Sequence, residues 1–186
     1  MAALFASTLS ASAADEEAVR LLIDRKPKTD FAVVVRDLSG GPIVIQNAPL
    51  ERDGTPMPTR FWLVGRVENE VIGRLEAAGG VRQVESELNP VEVALLHERH
   101  QQARDAELPH DWSGHRPSGG VGGTRRGVKC LHAHYACWLA GENDLIGQWV
   151  VDRLGDLLPP TIGPRNPITE LNEPVTDRLQ PFTRLA

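Results

Sequence analysis

Hydrophobic periodicity changes twice along this chain, and the two changes confine what it can fold into. Residues 15–25 place Ala18, Leu21, Leu22 and Arg25 at helical spacing, and Pro27 closes the segment. The period then drops to that of a strand. Residues 31–35 and 42–46 are rich in β-branched side chains, and they are joined by Asp37-Leu38-Ser39-Gly40-Gly41, whose residue types suit a hairpin turn. A third run, residues 60–64, follows the loop at 53–58, which contains glycine and two prolines. Helical spacing returns with Val67, Val71, Leu75 and Ala78, and Gly79-Gly80 offers a left-handed stop. A single burst of strands followed by helices predicts an α+β domain: a small antiparallel sheet of about three strands packed with four or five helices.

The remaining helices announce themselves through their caps. Asn89-Pro90-Val91-Glu92 combines a capping side chain, a proline at the first helical position and a reciprocal glutamate, so a helix is expected to about residue 107. Its inward stripe is Val93, Leu96, His97, His100 and Arg104. Residues 108–127 form a long loop with glycines at 114, 119, 120, 122, 123 and 127. Residues 129–140 read as a helix ended by Gly141, and Asp144 caps a last helix through Leu154. The expected organisation is a flexible leader over 1–14, one domain over 15–157 and an extended, proline-rich tail over 158–186, with prolines at 159, 160, 164, 167, 174 and 181.

Charge narrows the partners. A net charge of -5 argues against nucleic acid or an anionic membrane as a partner of the whole surface, because that attraction is cation to phosphate. Residues 108–129 run the other way, with Arg116, Arg125, Arg126 and Lys129 against Asp111. Two cysteines with six residues between them do not make a disulfide scaffold, which suits a reduced, cytoplasmic chain. No run reaches the ~20 apolar residues of a membrane span, and the apolar opening residues lack the cationic start of an export signal.

Residues 119–137 concentrate the chemistry: both cysteines, two of the six histidines and three cations lie there. Three readings compete. In the first, the glycine-rich loop enters a helix N-terminus beside Arg125, Arg126 and Lys129, offering amide N–H groups and cations to a small anionic, phosphate-bearing ligand, with Cys130, His132, His97 and Glu98 around it. The pattern is neither a P-loop nor a dinucleotide fingerprint. In the second, Cys130, His134 and Cys137 share a helix face at i, i+4 and i+7, and His97 or His100 adds a zinc ligand. His97-Glu98-Arg99-His100 lacks the spacing of the zinc-protease helix. In the third, the segment is structural and the protein is a noncatalytic interaction module meeting a protein partner. A catalytic variant of the first reading gives Cys130 a thiol activated by Lys129 and the helix end, with His132 or His97 as base.

Four segments, Asp53-Gly54-Thr55-Pro56-Met57-Pro58-Thr59-Arg60-Phe61-Trp62-Leu63, Arg74-Leu75-Glu76-Ala77-Ala78-Gly79, His97-Glu98 and Val128-Lys129-Cys130-Leu131-His132-Ala133, occur in an order that resembles the bacterial family catalogued as "domain of unknown function 501" over residues 17–155. The resemblance carries over Lys129, Cys130, His132, His97 and Glu98 and implies no activity. Members often bear cysteines after the first strand and a Thr-Cys or Thr-His after the third. This chain has Arg36-Asp37-Leu38-Ser39 and Val64-Gly65 there. Any metal site joining those cysteines to Cys130 and His132 is therefore half missing here.

Overall fold

A computed structural model describes residues 9–165. Helix α1 (Ala13–Leu22) starts at Ser12, whose side chain accepts from the Asp15 amide. Strands β1 (Thr29–Asp37) and β2 (Pro42–Glu51) form the expected hairpin, closed by Asp37 Oδ1, which accepts from the Ser39 and Gly41 amides. Strand β3 (Phe61–Leu63) pairs with β2, and a short β4 (Thr161–Ile162) pairs with β1, giving an antiparallel sheet in the order β3-β2-β1-β4.

Among the described residues six α-helices accompany this sheet: after α1 come α2 (Arg66–Ala77), α3 (Gly80–Glu87), α4 (Pro90–Asp105), α5 (Leu131–Leu139) and α6 (Leu145–Leu154). Two of these features depart from the sequence expectation. Gly79-Gly80 ends α2, with Gly79 at φ 93, yet the chain turns straight into α3 and buries Val84. Past residue 157 the chain continues to pack: Leu158 is fully buried and Thr161 lies in β4, because Pro159-Pro160 directs an extended segment back along β1. The part of the expected tail from residue 166 onward, and the leader up to residue 8, lie outside the described residues.

Neighbouring residues Val44 and Ile45 of β2 face two different cores. Val44 joins a large core with Leu63, Ile72, Leu96, Tyr135, Trp138 and Val150, while Ile45 joins a smaller one with Val19 of α1, Phe31 and Val64. Helix α5 is buried along almost its whole length, from Leu131 through Leu139, and packs on α6, β3 and α2. A buried polar group on α5 left without a partner is costly, which makes its two histidines and its cysteine the informative residues.

Candidate functional site

The inward face of α4 builds the site. Asn89 Oδ1 caps the helix on the Val91 amide at 2.9 Å, and Val93, Leu96, His97, His100 and Arg104 are buried as the stripe predicts. Arg104 is wholly inaccessible to solvent, and its guanidinium donates to the carbonyls of Pro117 (2.8 Å), Gly119 (2.8 Å) and Pro58 while pairing with Asp105. Two helical turns earlier on α4, His97 grips the next part of the loop. Its Nδ1 accepts from the Val121 amide at 3.1 Å and its Nε2 faces the Gly127 carbonyl at 2.8 Å. An amide only donates and a carbonyl only accepts, so both bonds are made by the neutral ring carrying its proton on Nε2. Burial holds His97 below the ordinary histidine range, in keeping with that form. Gly120 is needed at this contact, since a Cβ there would lie 2.3 Å from the His97 Cβ.

Between α4 and the clamped loop lies a cavity of about 600 Å³. Val93, His97 and Glu98 of α4 line one side, and Thr124, Arg125 and Arg126 of the loop line the other. Glu85 of α3 closes an end by accepting from the Val128 amide at 2.8 Å. Arg125 and Arg126 are exposed and, among the described residues, neither forms an ion pair or a side-chain hydrogen bond. The Thr124 hydroxyl is buried without a partner. Two free guanidinium groups, an unmatched hydroxyl and the N-terminal turns of a 16-residue helix thus meet at one apolar-walled space.

The other residues singled out by the sequence go elsewhere. Lys129, Cys130 and His132 border a separate cavity of about 290 Å³ with Trp62 and Asn69, so they do not join His97 and Glu98. Lys129 reaches the Gly122 carbonyl at 3.3 Å. His132 Nδ1 lies 3.0 Å from Glu76 Oε1 and its Nε2 3.1 Å from the Asn69 carbonyl. Cys130 precedes the helix rather than opening it: its backbone is extended (φ -157, ψ 149), which removes it from the expected i, i+4, i+7 face with His134 and Cys137. Its thiol is not activated either. Burial pushes it above the ordinary cysteine value, and the opposing pull of Lys129 is smaller. The catalytic assignment of Cys130 with His132 or His97 therefore finds no support in the geometry.

His134 and Asp144, each 1% exposed, form a buried pair at 2.8 Å, and the other oxygen of Asp144 caps α6 on the Ile146 and Gly147 amides. The rings of His134 and His97 lie 5.5 Å apart. The expected metal set of His97, Cys130, His134 and Cys137 does not converge. One different trio does among the described residues: His100, Cys137 and Glu142 bring one ligand atom each to within 4.8 Å of the others.

Local backbone chemistry explains the trio. At the end of α5, Gly141 takes φ 93, and the amides of Gly141 and Glu142 donate to the carbonyls of Trp138 and Cys137, both at 3.0 Å. This is a Schellman closure, which folds the second residue past the helix end back over the third from last. Glu142 consequently lies against Cys137. His100 Nδ1 is 2.8 Å from Glu142 Oε2 and 3.7 Å from Cys137 Sγ. Arg60, just before β3, holds Glu142 Oε1 at 2.6 Å and pairs with Glu107 at 2.6 Å. Burial works to raise the Glu142 carboxyl, but His100 and Arg60 outweigh it and keep it below its ordinary value. The Cys137 thiol is pushed well above its own, by burial first and then by the Glu142 charge. Glu142, Arg60 and Glu107 were not singled out from the sequence; the signal for the first was the run Cys137-x-x-x-Gly141-Glu142.

The elements define a small α+β domain, and a family comparison places it. A family model described as "Protein of unknown function (DUF501)" matches residues 33–152, well over half of the chain, and the protein belongs to that family. No curated protein and no solved structure matches it. Two of the segments that carry the resemblance meet in space, since Glu76 of the first accepts from the Leu131 amide and holds His132 of the second. No helix among the described residues is long and apolar enough to cross a membrane.

Proposed function

We propose that the protein binds a small ligand in the cavity between α4 and the glycine-rich loop, with an anionic, phosphate-bearing group at Arg125 and Arg126 and an apolar portion against Val93, Leu88 and Val128. The observation that carries this reading is the pair of unpartnered guanidinium groups beside the buried, unmatched Thr124 hydroxyl. Each of these groups gains a partner when an anion enters, and a guanidinium fork suits phosphate or carboxylate oxygens. Glu85 at one end and Glu98 on α4 select against a polyanion and favour a ligand with one compact charge. With both His97 nitrogens engaged, the cavity reads as a place to bind rather than a place to attack a bond. Its setting is a cytoplasmic one in this reading.

A thermal-shift screen with inorganic phosphate, pyrophosphate and nucleotides tests the proposal, because a ligand at about 100 times its Kd adds ~2.7 kcal/mol of apparent stability. The expected result is a shift from one of them that disappears in the Arg125→Ala, Arg126→Ala double variant. A wild-type protein indifferent to all three defeats the anion reading. It then favours an interaction module, for which exposed Val91 and Leu95 on the outer side of α4 supply apolar contact area.

A further inference from the structure

We propose that His100 Nδ1, Cys137 Sγ and Glu142 Oε2 form a binding site for a divalent transition-metal ion of the zinc class. The site is independent of the anion cavity, which none of the three residues lines.

The donor set is the first argument. One imidazole nitrogen, one sulfur and one carboxylate oxygen are ligands that zinc accepts together. Geometry is the second. A tetrahedral ion with bonds near 2.3 Å to sulfur and 2.0 Å to nitrogen and oxygen separates its ligand atoms by about 3.5 Å (S to N) and about 3.3 Å (N to O). The sulfur-to-nitrogen distance here is 3.7 Å, and the nitrogen-to-oxygen distance is 2.8 Å, so a small outward swing of the carboxylate completes the arrangement. One ligand atom from each of the three residues lies within 4.8 Å of the others.

The third argument is the way the trio is held. His100 sits mid-helix on α4, Cys137 in the last turn of α5, and Glu142 at the Schellman closure, so each ligand comes from a rigid element. The closure usually brings two apolar side chains together. Here it presses a carboxylate onto a thiol, an arrangement that buried packing alone does not favour. Arg60 holds the far oxygen of that carboxylate and is itself held by Glu107, the kind of outer support that orients metal ligands. Glu142 and Arg60 keep 21% and 17% of their side chains exposed, so the site has an approach from solvent.

Cobalt titration of the chelator-treated full chain is the test. One equivalent of Co²⁺ should bind with a near-ultraviolet thiolate-to-metal absorption band, and Zn²⁺ should displace it. Cys137→Ser should abolish the band, whereas Cys130→Ser, altering a thiol outside the trio, should leave it intact. Glu142→Gln keeps a hydrogen-bonding group beside Arg60 and His100, so it should fold even if the serine variant does not, and it should weaken binding at least ~10-fold, since loss of even an outer-shell partner costs that much. A wild-type protein without the band, a band that survives Cys137→Ser or depends on Cys130, or unchanged affinity in Glu142→Gln would each overturn the proposal.

Discussion

The two ends of α5 carry the same three side-chain types and use them differently. At its start stand Cys130, His132 and Glu76; at its finish stand Cys137, His100 and Glu142. In the first trio the carboxylate is consumed by the Leu131 amide and by His132, whose other nitrogen faces the Asn69 carbonyl. The thiol stands apart, in an extended residue before the helix. In the second trio a single histidine nitrogen faces both the carboxylate and the sulfur. A cysteine, a histidine and a glutamate near a helix end are thus not a site by composition. The first set closes a helix N-terminus, and the second leaves its donors converging because a left-handed glycine turns the chain back on itself.

The sharpest way to break this contrast is to remove each carboxylate. Glu142→Ala takes a partner from Arg60 and leaves His100 only the long contact to Cys137 Sγ, so it should cost about 3 kcal/mol, the range for opening a largely buried charge network. Arg60 keeps Glu107, which limits the loss. Glu76→Ala removes a helix cap and one bond to His132 and should cost about 1 kcal/mol. Urea denaturation of the two variants against the wild type reads both numbers. Equal losses would mean that the two ends are energetically alike and that the convergence at Glu142 has no structural weight.

Thiol reactivity sharpens the same comparison in kinetics. Cys130 is partly accessible and Cys137 is buried. A disulfide reagent at pH 8 should modify Cys130 first, more slowly than an ordinary surface thiol because burial raises its pKa. Cys137 should react only through local opening, roughly 100-fold more slowly. Cys130→Ser should delete the fast phase and leave the slow one. A single phase of two thiols would show that the end of α5 opens as readily as its start.

Much of this contrast was open to sequence reasoning, and the part that was not has a specific cause. The hairpin, the caps at Asn89 and Asp144 and the buried stripe of α4 follow from local residue chemistry, and the structure contains them. His97, Glu98, Arg125 and Arg126 do share a cavity. Helical spacing misplaced Cys130 by carrying the helix back to Lys129, because periodicity does not say where a cap falls and the chain at 130 is extended. Glu142 escaped notice because its position depends on the direction the chain takes after Gly141, and Arg60 because its two partners are 47 and 82 residues away. Helix α3 was hidden for the opposite reason: two adjacent glycines read as a stop when only the first is needed for one. Strand β4 is two residues long, too short for a period.

The smallest effect concerns the imidazole that belongs to neither end of α5. His97 is neutral when it clamps the loop, and its folded pKa lies below the ordinary value of 6.5. Between those two values the unfolded chain binds more protons at this ring than the folded one, so stability rises with pH there. The contribution is fully present above 6.5 and is lost as pH falls from 6.5 through the folded value. Protonating Nδ1 removes the acceptor for the Val121 amide, so the loop should loosen as the stability falls. Comparing urea midpoints at pH 7.5 and 5.5 should show the wild type losing up to about 1 kcal/mol more than His97→Gln, which cannot titrate. Identical losses in the two proteins would mean that the ring does not clamp the loop in its neutral form, and the contrast between a histidine spent on the loop and one facing a carboxylate and a thiol at position 100 would fail with it.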